Sequence, residues 1–166
     1  MCYLKVLMIL VIVSTMSCST NGQDLGRALL EAKTIDDAIG VAKKCEKLEA
    51  KSLLIFVKTL EVLIDKEYRL DNYGKISVCL NSLRNLANRG ISSKEEAVFL
   101  LQFIQKQRLI TDTLVTAEIL TLITGTDVGY NKEFVEHYAP NDEGKRKQMI
   151  QEWEKAIENK WKASKQ

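Results

Sequence analysis

Apolar positions along most of this chain recur at steps of three and four residues, the period of one helix face, and no run alternates strictly between apolar and polar residues. The pattern predicts a short first helix over 24–33. Thr34 then reads as an N-cap, with Asp36 and Asp37 in a first turn where the helix dipole favours carboxylates. Ile35, Ala38, Ile39, Ala42 and Cys45 follow at helical spacing. The next segment runs through Leu53, Leu54, Ile55, Phe56 and Val57 to Leu60, Val62, Leu63 and Ile64. It is apolar nearly all round, which predicts a helix at the centre of the fold. Lys58 and Glu61 interrupt it, so it does not read as membrane-spanning.

Asp71 is the expected cap of a further helix, whose Ile76, Cys79, Leu80, Leu83, Leu86 and Ala87 form one stripe. Gly90 is its natural left-handed stop. Ser93 to Glu96 spells a capping box, opening a helix with Ala97, Leu100, Leu101 and Ile104 inward. Asp112 is expected to start another, bearing Leu114, Val115, Ala117, Ile119, Leu120, Leu122 and Ile123 and ending at Gly125. Asn141 or Asp142 begins a long last helix over about 141–163, in which Met149, Ile150, Trp153, Ala156, Ile157 and Trp161 recur inward.

A single proline, Pro140, leaves the helices uninterrupted. Starts near Asp71, Ser93 and Asp112 are spaced by about twenty residues, so a helix pair takes ~40. The expected fold is all-α: a short stack of antiparallel helix pairs, either an α-solenoid or an irregular helical bundle. At 166 residues the chain suits one domain.

The N-terminus is different. Lys5 precedes a short apolar block at 6–13, followed by Ser14, Thr15, Met16, Ser17 and Cys18. A basic start, a short apolar block and a small-residue exit describe a secretory signal peptide, too short to span a bilayer at ~20 residues. Residues 14–18 resemble the lipobox of bacterial lipoproteins, with Ser17 as the small residue before the cysteine; Thr15 and Met16 depart from its usual residues. The resemblance implies a diacylglyceryl group on Cys18, which becomes the new N-terminus. The expected organisation is a signal peptide at 1–17, a flexible tether at 18–23, and one helical domain at 24–166. Ordinary cleavage nearby, releasing a soluble protein, is the alternative.

Charge narrows the partners. There are 24 Lys and Arg against 22 Asp and Glu, and removal of 1–17 takes one lysine and no acid. The charges are interspersed, so neither nucleic acid nor an anionic surface is selected by a long-range field. Cys45 and Cys79 remain as an even pair, a candidate disulfide in an oxidising compartment. Their apolar, helical neighbours favour buried free thiols instead.

Chemistry is sparse. His137 is the only histidine, with no motif linking it to a cysteine, and reads as an ordinary loop or surface residue. Asp127, Asn131 and Glu133 lack the ligand register of a calcium loop and fit turn formation. Glu95 and Glu96 fit first-turn and capping roles better than an acid/base pair. No Gly-rich phosphate motif is present. No metal, cofactor or catalytic residue is expected. Tyr130, Tyr138, Trp153 and Trp161 offer groove-lining aromatics, against the reading of Trp153 as core and Trp161 as partly exposed.

Residues 114–130, ending Ile123-Thr124-Gly125-Thr126-Asp127-Val128-Gly129-Tyr130, together with Trp153, resemble the last repeat of bacterial HEAT-like proteins. Those end a helix in Leu-Thr-Gly, turn through Asp-Phe-Gly-Tyr and close with a Trp-bearing helix. Val128 replaces the aromatic, and the usual Asp-Pro and Val-Arg signatures are missing upstream. The resemblance covers about 112–161 and implies a helical-repeat fold used for protein contacts, capped by the last helix.

The function expected is a non-catalytic protein-binding or scaffold module, exported and tethered to a bacterial membrane through Cys18, facing the periplasm or the cell surface. Two alternatives stand beside it. One is a soluble small-ligand carrier or an envelope enzyme with a site between helices; the other is an inhibitor or immunity-type lipoprotein.

Overall fold

The computed structural model describes residues 21–65, 70–106, 110–128 and 143–163. They are helical except for short connectors, and no strand occurs among them. Three pairs of consecutive helices follow one another. α1 (Asn21–Glu31) packs on α2 (Ile35–Glu46), α3 (Ala50–Asp65) on α4 (Leu70–Asn88), and α5 (Lys94–Lys106) on α6 (Ile110–Thr124). α7 (Glu143–Ala163) closes the described chain, packing mainly on α5 and less on α6.

A second set of contacts turns the pairs into a stack. α1 packs on α3, α2 on α4 and α4 on α6, each helix meeting the one two further along. The result is two layers, α1, α3, α5 and α7 in one and α2, α4 and α6 in the other. This is the short stack of helix pairs that the spacing of helix starts predicted. The α3–α5 contact is slighter than its neighbours.

Local sequence explains where the helices begin and end. At α2, the Asp37 N–H donates to Thr34 Oγ1 at 3.1 Å, and the Thr34 N–H donates to Asp37 Oδ2 at 3.3 Å. Two orphan donors are satisfied reciprocally. Ser93 and Glu96 repeat the arrangement at α5, with distances of 3.1 and 3.2 Å. Gly90 stops α4 at φ +75°, and the Ile91 N–H reaches back to the Leu86 carbonyl at 3.0 Å. Gly125 stops α6 at φ +72°, its N–H donating to Thr121 O at 2.8 Å. Both positive angles are open to glycine without a Cβ penalty.

Several expectations are corrected. Asp71 and Asp112 stand inside α4 and α6 rather than just before them. α1 ends at Glu31, and its start takes in Asn21, Gly22 and Gln23, three residues expected in the tether. The reason is tertiary: at Gly22 and Gly26 the α1 backbone lies against Ile55 and Thr59 of α3, so packing outweighs poor helix propensity. α3 is not enclosed on all sides. Phe56, Leu60 and Leu63 are buried, but Leu54 is 58% exposed and Val62 is also open to solvent. Ile35 and Ile39 on α2 are exposed as well: Ala38, Ala42 and Cys45 form the buried side of that helix, and Ile35 lies at its edge, against Gly74 of α4. Asn141 and Asp142 lie outside the described residues.

One apolar cluster runs through the stack. The inward stripes read for α4 and α5 are buried throughout, and Trp153 is fully enclosed at the α7 end.

Candidate functional site

Cys18, expected to carry lipid, lies outside the described residues, as do His137, Tyr130, Tyr138, Asn131 and Glu133. Trp153 is core, and Trp161 is half-buried with the Lys160 ammonium 5.6 Å from its ring centre. Asp127 is exposed beyond the end of α6. Among the described residues, no group of three or more His, Cys, Asp or Glu is placed to hold a metal ion. No described helix is long and apolar enough to cross a membrane.

Cys45 and Cys79 are free and fully buried, on α2 and α4, two helices that pack together. Burial disfavours the thiolate and pushes Cys45 up to about 11 and Cys79 to about 12, the nearness of Cys45 adding to the latter. Thiols so held are poor nucleophiles and poor metal ligands at neutral pH.

Other buried polar groups are occupied locally. Thr59 Oγ1 donates to Ile55 O at 2.8 Å, Thr116 Oγ1 to Asp112 O at 2.6 Å, and Ser52 Oγ to Glu49 O. Glu96 differs from these. One carboxylate oxygen accepts from the Ser93 N–H, while Oε1 is buried and has no hydrogen-bond partner among the described residues. Desolvation raises this carboxyl to about 7, the Ser93 bond acting the other way. Sequence marked Glu96 as a capping residue but carried no sign of its burial.

The feature with the shape of a binding site is a groove of about 790 Å³ between α1 and α3. Gly22 and Gly26 form its α1 side, where a missing Cβ lets the groove reach down to Ile55. Leu30, Leu48, Leu54 and Val62 extend the apolar lining. Arg27, Lys51 and Lys58 supply the charge, and no carboxylate among the described residues lines the groove. Arg27 is paired with Glu31 at 2.8 Å on the open surface, a pair of small worth. Reading the α3 segment as apolar all round hid this face. The signal was present nonetheless: Lys51, Leu54, Lys58 and Val62 recur at three- and four-residue steps, a mixed stripe instead of a buried one.

No protein-family model matches the chain, and no curated protein or solved structure is detectably similar to it. The resemblance to HEAT-like repeats therefore rests on the sequence of residues 112–161 alone.

Proposed function

We propose that this protein is a non-catalytic binding module of the bacterial cell envelope, tethered by lipid on Cys18 and holding a protein partner on its helical stack. The observation that carries the binding part is the solvent-facing α1–α3 groove, apolar within and basic at its walls. Stacked helix pairs suit such a role, since each pair contacts only its neighbours and leaves an extended outer surface for partners. The buried hydroxyls of Ser52, Thr59 and Thr116 bond neighbouring backbone carbonyls instead of converging on a cavity, which favours binding over chemistry. The tether rests on the apolar block at 6–13 and on Ser17-Cys18. Two acyl chains supply the stable anchorage that one does not.

The test is the intact mass and membrane partition of the protein purified from its native host, beside Cys18→Ala. The expected result is an N-terminal Cys18 carrying acyl mass, with membrane retention lost in the variant. An unmodified chain that begins elsewhere and stays soluble overturns the tether and leaves a released module.

A further inference from the structure

We infer that the α1–α3 groove receives an amphipathic helix with acidic flanks, contributed by the partner protein; this rests on the binding-module reading above. Three features of the groove lead there. Its apolar lining is drawn from both helices, Leu30 from α1 and Leu54, Ile55 and Val62 from α3. Leu54 and Val62 stay exposed in the isolated chain, so covering them gains hydrophobic free energy that folding leaves unused. A furrow between two neighbouring helices also accepts the side-chain ridge of a third.

Length fits the same occupant. From Lys51 to Val62 the α3 wall covers three turns, roughly 16 Å at 1.5 Å per residue. A partner helix of about three turns matches it, presenting apolar residues at three- and four-residue steps.

Charge selects the sign and argues against a small anionic ligand. Lys51 and Lys58 stand seven residues apart on α3, about 10 Å along the axis, both exposed and both lining the groove. Arg27 faces them from α1, and its exposed partner Glu31 is readily exchanged. A fatty acid or a small carboxylate would need cations converging on one point. Cations distributed along two turns instead match carboxylates repeated on a helix. The acids nearest in sequence, Glu49 just before α3, Glu61 on α3 and Asp24 on α1, do not line the groove.

The experiment measures binding of two synthetic peptides to the full chain by fluorescence anisotropy. Both are helical, of about fifteen residues, with leucine at helical spacing; one has glutamate flanks and the other lysine flanks. The expected result is preference for the glutamate peptide. In the Lys51→Glu, Lys58→Glu double variant that binding falls at least about tenfold and the preference turns to the lysine peptide. Both positions are exposed, and an unchanged circular dichroism melt shows the fold intact. Leu54→Asp weakens both peptides. Equal binding of the two peptides, or a double variant with unchanged preference, overturns the proposal. So does tighter binding to phosphatidylglycerol vesicles that is lost in the same double variant, which makes the face a lipid contact. A photo-crosslinking residue placed at Lys58, or at the exposed Glu118 on α6, separates this failure from that of the wider reading. Protein adducts in the native host from Glu118 alone overturn the groove and leave a binding module. Adducts from neither position overturn both.

Discussion

The Glu96 carboxyl closes the α5 capping box with one oxygen and is buried without a partner at the other, so its charge is costly where its hydrogen bond is useful. Its folded pKa of about 7 lies above the ordinary 4.5. The native state thus holds a proton more tightly than the unfolded state between those values, and stability falls as pH rises through that window. The full shift corresponds to roughly 3 kcal/mol. Asp112, raised by burial too, acts in the same direction. Urea unfolding at pH 5 and pH 8 is expected to show lower stability at pH 8. Glu96→Gln keeps the cap and flattens most of the difference; an equal loss in the variant would place the titration elsewhere. Glu49 presents a separate strain. It sits between α2 and α3 at φ 51°, a left-handed conformation that costs a non-glycine residue about 1 kcal/mol. Glu49→Gly is expected to raise the unfolding free energy by about that amount, read as a higher denaturant midpoint.

At the scale of the element, the starts of α2 and α5 were legible from the chain while several helix ends were not. Thr34 and Ser93 announce caps through side chains that bond their own backbone three residues on, a purely local event. Carbonyls in the last turns of α1, α2 and α6 find donors far along the chain: Lys75 Nζ of α4 on Leu30 O at 2.7 Å, Arg89 Nη2 just past α4 on Glu46 O at 3.3 Å, and Lys160 Nζ of α7 on Ile123 O. Partners 45, 43 and 37 residues away leave no local pattern. Lys75→Met keeps the stem and removes the donor, and is expected to cost on the order of 1–2 kcal/mol in chemical denaturation. α3 shows how far a hydropathy pattern reaches. Phe56→Ala should cost about 3–5 kcal/mol, whereas Leu54→Ser should stay within about 0.5 kcal/mol, despite the similar hydropathy of the two sites. Comparable losses at both would mean that α3 is enclosed after all.

For the whole molecule, stacking makes stability a matter of neighbours. α4 touches α2, α3 and α6, so its stripe is shared among three partners, while α7 seals one end through Trp153. Trp153→Ala is expected to cost about 3–5 kcal/mol, read from the melting midpoint. Cys45 and Cys79 lie on the facing α2 and α4, so their reaction with a thiol reagent at neutral pH should follow unfolding of the stack and be near zero in the native state. Fast native labelling would contradict their burial.

The sequence by itself determined the all-α class, the Thr34 and Ser93 caps, the glycine stops and most inward stripes, because helical period and capping depend on residues a few positions apart. It also carried the expectation of a lipid-bearing Cys18, which lies outside the described residues. Tertiary structure decided that Asn21 to Gln23 are helix and not tether, and that the apolar α3 keeps one face in water. It also decided that Glu96 is desolvated and that Arg27, Lys51 and Lys58 share a groove. Each of these depends on which helix lies alongside, and α1 reaches α3 only after the chain has turned twice. Hydrophobicity says that a residue gains by burial; only the arrangement of neighbours says whether there is anything to bury it against.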